Sequence, residues 1–196
     1  DPFCEEIYVD LKVVGDQAII PISGSMQVHG GVYVIDGVLI DDTEGQETTV
    51  VDLNTILSLP GAHNWQNAAA AYATTKAIGV QPHAIMACLQ SYPGLVHRQE
   101  AVQIVDGVTF VNDSKATNTN ATAKALVCYE NIYWIVGGRP KEDGLEGLSD
   151  HLSDVRHAFL IGESALEFSA FFDGNISMTM AGDLETAVDK AYQMAK

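Results

Sequence analysis

The sequence predicts an α/β protein with a strand-rich front and a parallel α/β rear, and three observations support this. Short apolar runs separated by Gly and Asp turns fill residues 7–51. After residue 130, continuous apolar strands alternate with helical segments, which is typical of a parallel sheet with right-handed crossovers. Between these patterns Pro93 and Gly94 break the chain. We therefore predict two domains, over residues 1–93 and 94–196.

The front is expected to contain five short strands and two helices. Asp36-Gly37 between two apolar runs predicts a hairpin. The first helix should begin at His63 and stop at Gly79, and Pro82 should open the second, which ends near Tyr92. The predicted strands cover residues 7–14, 17–22, 31–36, 37–41 and 48–53.

The rear is expected to begin with a hairpin over residues 100–111, which turns at Asp106-Gly107. A polar loop then leads into a helix that ends near Cys128. Predicted strands follow at 132–136, 155–161 and 175–180, and predicted helices at 145–153, 163–172 and 183–195. Ligands bind at the carboxyl ends of the strands in such sheets, so we expect the segments NDSKATN and GGRPK to lie there.

Composition excludes several classes of protein. A formal net charge of −16 opposes binding to nucleic acid or to an anionic membrane surface. No apolar run approaches the ~20 residues of a membrane span, and no secretory signal is present, so we expect a cytoplasmic protein. Cys4, Cys88 and Cys128 are odd in number and far apart, which favours reduced, buried thiols over disulfides or a zinc site.

The few basic residues are concentrated in one stretch of the chain. Ten Lys and Arg oppose 26 Asp and Glu. Such cations are either ordinary solvated side chains or part of a pocket for a phosphate or carboxylate group. Half of the ten lie between positions 98 and 141, namely Arg98, Lys115, Lys124, Arg139 and Lys141.

The first candidate site is the segment LPGAHNWQN, residues 59–67. Asn64 and Asn67 are three residues apart, so they share one face of the predicted helix. Two amides there could bind a purine edge, while the free N–H groups of the helix attract anions. The alternative is simple helix capping by His63 or Asn64.

The second candidate is NDSKATNTN, residues 112–120. Asp113 follows a predicted strand, where a carboxylate can hold a ribose hydroxyl. Lys115 and Thr117 could bind a carboxylate or phosphate. The alternative is an ordinary loop leading to a helix N-cap, which leaves Lys115 unexplained.

The third candidate is GGRPKEDG, residues 137–144. Gly137-Gly138 would let the backbone approach a ligand closely, with Lys141 near the strand end. The alternative is a βα turn with a solvated lysine. Neither a G-x-x-x-x-G-K-[ST] phosphate loop nor C-x-x-C or H-E-x-x-H occurs in the sequence, so we predict no metal ligands.

Together, four segments in this order resemble the UDP-N-acetylmuramoyl-L-alanine:D-glutamate ligases of the Mur ligase family. The resemblance is close over residues 59–144 and weaker over residues 1–50. NDSKATN is its most specific part, and it disfavours a folylpolyglutamate synthase. The four segments are LPGAHNWQNAAAA, GLVHRQE, VNDSKATNTNAT and IVGGRPKEDG.

The resemblance implies a fold and a set of site residues. The front would be the end of a central ATPase-type domain, and the rear would be most of a Rossmann-like C-terminal domain. Asn64 and Asn67 would face adenine. Arg98 and Asp113 would contact the phosphate and ribose region of the nucleotide. The substrate side would be formed by Lys115, Thr117 and Lys141, with Lys115 and Lys141 as catalytic cations.

The resemblance also implies an ATP- and Mg²⁺-dependent reaction that adds D-glutamate to UDP-N-acetylmuramoyl-L-alanine through an acyl phosphate, in peptidoglycan synthesis. The family's P-loop and magnesium-binding residues have no counterpart in this sequence. We therefore expect no ligase or ATPase activity from this chain alone. The alternative is a free-standing acidic α/β module that binds a nucleotide or metabolite without catalysis.

Overall fold

A computed structural model describes residues 2–14, 18–139, 145 and 147–196. The chain divides into two compact units, residues 1–93 and 94–196. The first contains α1 (Pro2–Val14), β1 (Ile22–Ser23), β2 (Val32–Ile35), β3 (Val38–Asp41), β4 (Thr48–Asp52), a 3-10 turn (Leu53–Thr55), α2 (Gly61–Ala77) and α3 (Pro82–Gln90). The second contains β5 (Glu100–Val105), β6 (Val108–Asn112), α4 (Thr119–Leu126), β7 (Ile132–Gly137), a 3-10 turn (Ser149–His151), β8 (Val155–Ile161), α5 (Ala165–Phe172), β9 (Met178–Gly182) and α6 (Leu184–Ala195).

The first unit is a four-stranded sheet packed against α2. Strands β1 to β4 lie in sequence order, with β1 and β2 parallel and the other pairs antiparallel. The predicted hairpin joins β2 to β3, and both of its turn residues, Asp36 and Gly37, have positive φ, as a type I′ turn requires. Alanines on α2 pack against the sheet in one core cluster. Its buried members are Val32, Val34, Leu39, Val51, Leu53, Ile56, Leu59, Ala68, Ala69, Tyr72, Ala73 and Ile85.

The start of the chain differs from the prediction. Residues 7–14, predicted as a strand, form the C-terminal part of α1, and the strand predicted over 17–22 is reduced to Ile22–Ser23. Ile7, Val9 and Leu11 alternate as in a strand, but all three are exposed and none lies in a sheet. A short apolar run does not distinguish helix from strand by periodicity alone, because tertiary pairing decides between them.

The second unit contains an antiparallel hairpin and a separate parallel sheet. The hairpin pairs β5 with β6 around Asp106 and Gly107, and the parallel sheet has the order β7–β8–β9. Successive residues of β7 face opposite sides. Tyr133 and Ile135 pack with α6, whereas Trp134 and Val136 join the cluster that includes residues of α4 and α5. Helices therefore cover both faces of the parallel sheet.

Three further predictions are corrected. Among the described residues of 145–153 only a 3-10 turn forms, after Gly147 adopts a left-handed φ of 85°. The segment NDSKATN follows β6 of the antiparallel hairpin, so it is not at the end of a parallel strand. Cys128 is half-buried, while Cys4 and Cys88 are exposed, so the prediction of buried thiols was wrong for those two. None of the helices traced in the described residues is long and apolar enough to cross a membrane.

Candidate functional site

The first candidate segment forms the beginning of α2, and the capping alternative was wrong. The N-cap residue is Pro60, which has no side-chain acceptor, and the Asn64 amide donates to the Pro60 carbonyl oxygen over 2.8 Å. Asn67 is exposed one turn further along the helix. The buried indole N–H of Trp65 has no hydrogen-bond partner among the described residues. Asn64 and Asn67 thus lie near the N-terminus of a helix whose N-cap residue makes no side-chain hydrogen bond to the helix.

In the second unit, four predicted site residues lie on two loops that are bonded to each other, residues 95–99 and 112–118, here called the paired loops. The Lys115 backbone N–H donates to the His97 carbonyl oxygen over 3.0 Å. The Gln99 N–H donates to Asp113 Oδ1 over 3.0 Å. These bonds bring together the segments that carry Arg98, Asp113, Lys115 and Thr117.

Asp113 lies partly beneath the surface of the paired loops. Its carboxylate accepts the Gln99 N–H, and its negative charge reaches two neighbouring side chains. Burial, with a smaller contribution from Asp113, raises the pKa of the Cys128 thiol to about 11. Burial together with the charges of Cys128 and Asp113 raises the pKa of Tyr129 to about 12. The Cys128 thiol is therefore protonated at neutral pH and is a poor nucleophile.

The loop-and-cap alternative for residues 112–120 is correct for one residue. Asn118 is the N-cap of α4, and its Oδ1 accepts the Ala121 N–H over 2.8 Å. Lys115 and Thr117 are exposed and take no part in that cap. Capping therefore accounts for the end of the loop and leaves the lysine unexplained.

Arg98 and Lys115 are exposed cations without a charged partner. Neither forms an ion pair with any of the residues that the structure describes. Arg139, by contrast, places its Nε 3.6 Å from Glu163 Oε1, and Lys124 is exposed near the end of α4. In a chain of net charge −16, two unpaired cations on loops that are hydrogen-bonded to each other are suited to an anionic ligand.

The glycine pair at the end of β7 packs closely against a neighbouring segment. Gly137 and Gly138 have φ of 144° and 114°, and a Cβ on Gly137 would lie only 1.9 Å from the Ile161 carbonyl oxygen. The buried Ser164 hydroxyl donates to the Gly138 carbonyl oxygen over 2.9 Å. The two glycines therefore let the end of β7 approach β8 and the loop that follows β8 closely. Lys141 lies outside the described residues.

A buried polar network lies in the first unit, and no sequence motif predicted it. Asp41 Oδ2 accepts hydrogen bonds from the Tyr72 hydroxyl at 2.8 Å and from Lys76 Nζ at 2.7 Å, while Oδ1 accepts from Thr43. Lys76 also lies 3.1 Å from Glu44. Burial alone would raise the pKa of Asp41, but these donors outweigh it and lower that pKa to about 2. Nothing in the sequence marks this cluster, because its members are up to 35 residues apart.

Within the described part of the chain, no group of three or more His, Cys, Asp or Glu side chains is arranged to hold a metal ion.

Comparison with known proteins yields UDP-N-acetylmuramoylalanine–D-glutamate ligases among the similar sequences. No family model matches the chain. A UDP-N-acetylmuramoylalanine–D-glutamate ligase of Rhodospirillum rubrum is 47% identical over 177 residues, which is 90% of this chain and 37% of the relative. The ligases of that name from Caulobacter sp. and Phenylobacterium zucineum are 45% and 41% identical, over 98% and 100% of this chain. The chain spans about two fifths of the length of these relatives, and the predicted resemblance is confirmed.

Proposed function

We infer, from the homology of this chain to the UDP-N-acetylmuramoylalanine–D-glutamate ligases, that it forms the rear part of an ATP-dependent amide ligase of peptidoglycan synthesis. The substrates of the whole enzyme would be ATP, UDP-N-acetylmuramoyl-L-alanine and D-glutamate, and Mg²⁺ would accompany the nucleotide. We place this reaction in the cytoplasm. The first unit would be the end of the central ATPase-type domain, and the second would be most of the Rossmann-like C-terminal domain.

The observation that carries the proposal is the pair of unpaired cations on the paired loops. Arg98 and Lys115 are exposed in a strongly acidic chain, and loop-to-loop hydrogen bonds hold their segments together. Guanidinium and ammonium groups are the usual partners of phosphates and carboxylates, which all three proposed substrates carry.

We assign roles to the predicted residues of each unit. Asn64 and Asn67 bind the adenine edge, and Arg98 and Asp113 contact the phosphate and ribose region of the nucleotide. Thr117 contacts the amino-acid substrate. Lys115 and Lys141 orient the D-glutamate carboxylates and neutralise negative charge as the amine attacks the alanyl acyl phosphate and phosphate departs.

The test uses the full-length protein that carries this chain, assayed for phosphate release that depends on D-glutamate. We expect Lys115→Ala to lower the rate by about 100- to 1,000-fold, as for the loss of one group that stabilises transition-state charge. Lys124→Ala, an exposed lysine on α4, is the matched control and should leave the rate unchanged. A Lys115→Ala enzyme with the wild-type rate would contradict the role given to this residue.

The 196-residue chain alone separates the ligase from the binding-module alternative. We expect no ATP hydrolysis from it, because its sequence has no P-loop to hold the triphosphate. Micromolar ATP binding by calorimetry, combined with a full-length protein that releases no phosphate with D-glutamate, would favour the binding module. Phosphate release by the isolated chain would contradict our division of the active site.

A further inference from the structure

We propose that His97 is a positioning residue that, with Asn112, fixes Arg98 relative to Lys115. This inference rests on the proposed function, because it assigns to His97 the task of holding two cations of that site in register. It is drawn from the backbone conformation and from the hydrogen bonds of the paired loops.

Arg98 lies between two residues in an unfavourable conformation. His97 and Gln99 have φ of 66° and 45°, in the left-handed region that side chains other than glycine rarely adopt. Such residues persist only where surrounding contacts hold them, and they concentrate at functional sites. The two bends close a tight turn, in which the Arg98 N–H donates to the Leu95 carbonyl oxygen over 3.1 Å. The backbone that carries Arg98 is therefore held in one arrangement.

Three hydrogen bonds hold His97 itself. Its backbone N–H donates to Glu100 Oε2 over 2.9 Å, and its carbonyl oxygen accepts the Lys115 N–H over 3.0 Å. Its ring Nδ1 lies 2.9 Å from Asn112 Nδ2. One bond thus connects His97 to the lysine, and another connects it to the residue at which β6 ends. Through them the position of Arg98 is set by the loop that carries Lys115.

The direction of the ring bond follows from Asn112. Its Oδ1 already accepts the Ser114 N–H over 3.1 Å, so the amide nitrogen is the atom that faces the ring. That nitrogen can only donate, so His97 Nδ1 is the acceptor in this bond. The position therefore requires a side chain with an acceptor at the δ atom and a backbone that tolerates positive φ. Asparagine meets both requirements, whereas alanine meets neither.

The residues that these hydrogen bonds connect lie at the surface. His97, Arg98 and Lys115 are all exposed, and none of them belongs to a hydrophobic core cluster of the second unit. A set of bonds at the surface contributes little to the core, so its loss should alter the spacing of the cations more than the stability of the fold. Misplacement of about 1 Å can cost about 100-fold in rate.

The experiment compares His97→Ala with His97→Asn in the full-length protein. We expect His97→Ala to lower kcat for D-glutamate-dependent phosphate release by about 10- to 100-fold, with the KM values for ATP and D-glutamate changed less than about 3-fold, because both cations remain. His97→Asn should restore kcat to within about 3-fold of wild type, because it restores the acceptor. In the same variants, amide hydrogen exchange at Lys115 should accelerate in His97→Ala and stay protected in His97→Asn.

The outcomes separate this inference from the function on which it rests. A wild-type protein without D-glutamate-dependent phosphate release would overturn the proposed function, and the catalytic part of this inference with it. An active wild-type protein matched by His97→Ala in both kcat and Lys115 exchange would overturn the inference alone. Equal impairment of the alanine and asparagine variants would also overturn it, since the acceptor would then play no part.

Discussion

Lys76 in the first unit and the cations of the second unit show two opposite uses of positive charge. The Lys76 side chain is 22% exposed and bonded to Asp41, Thr43 and Glu44. Arg98 and Lys115 are exposed, and neither has a charged partner within the described residues. The physical reason is desolvation. A buried charge must be paired to avoid a large cost, whereas an exposed cation keeps its hydration and stays available to a ligand. The contrast identifies which basic residues serve the fold and which can serve a substrate.

The largest effect is expected when the paired cation, Lys76, is removed. Lys76→Met would leave the Asp41 carboxylate, whose side chain is 6% exposed, without its counter-charge. Removing one partner of a buried pair costs about 3–5 kcal/mol, so the free energy of unfolding in urea should fall by about that amount. Lys124→Met, at an exposed position, should change it by less than about 0.5 kcal/mol. Equal effects of the two substitutions would remove the distinction between buried and exposed cations.

The same network predicts a dependence of stability on acid. The pKa of Asp41 is lowered to about 2 in the folded protein, and an unfolded aspartate titrates near 3.9. A lowered pKa stabilises the fold above the unfolded value, so about 2–3 kcal/mol should be present above pH 5 and lost as the pH falls from about 4 to 2. Unfolding measured across that range should show this decline in wild type and a smaller one in Asp41→Asn. Parallel profiles for the two proteins would argue against the network.

A variant of Lys141 tests whether this lysine, like Arg98 and Lys115, is available to a ligand. If it pairs with a D-glutamate carboxylate in a partly desolvated cleft, Lys141→Ala in the full-length protein should raise the KM for D-glutamate by roughly 30-fold, about 2 kcal/mol. The KM for ATP should change little, and Lys141→Arg should recover only part of the loss. Steady-state kinetics with each substrate varied separately provide the measurement. A change below about 1 kcal/mol would place Lys141 among the solvated lysines.

The smallest expected effect concerns the N-cap of α4, where a neutral hydrogen bond, and not an ion pair, holds the end of the loop of residues 112–118. Asn118→Ala removes the side chain that caps α4 and should cost about 1 kcal/mol in the free energy of unfolding. Asn67→Ala is the matched control, because Asn67 is exposed in α2 and is not its N-cap, so thermal unfolding should be almost unchanged. A destabilisation by Asn67→Ala as large as that by Asn118→Ala would mean that the Asn67 amide serves the helix and not a ligand.

Local sequence signals predicted the regular elements well where the residues themselves restrict the backbone. Asp36-Gly37 and Asp106-Gly107 form hairpin turns because both residues of each pair adopt positive φ. Pro82 begins α3, as a residue without a free N–H should. The helix predicted over 145–153 failed because Gly147 takes a left-handed conformation within it.

The sequence by itself determined the α/β class, both hairpins, α2, α3 and the strands of the parallel sheet, because turn chemistry and apolar periodicity are local properties. Its motifs also indicated the ligase relationship, which the relatives confirm. Only the tertiary structure decided that residues 7–14 are helical, that Asp41 and Lys76 are paired, and that His97 connects the paired loops. Each of these depends on whether a distant residue supplies a partner, and no local pattern of side chains records that.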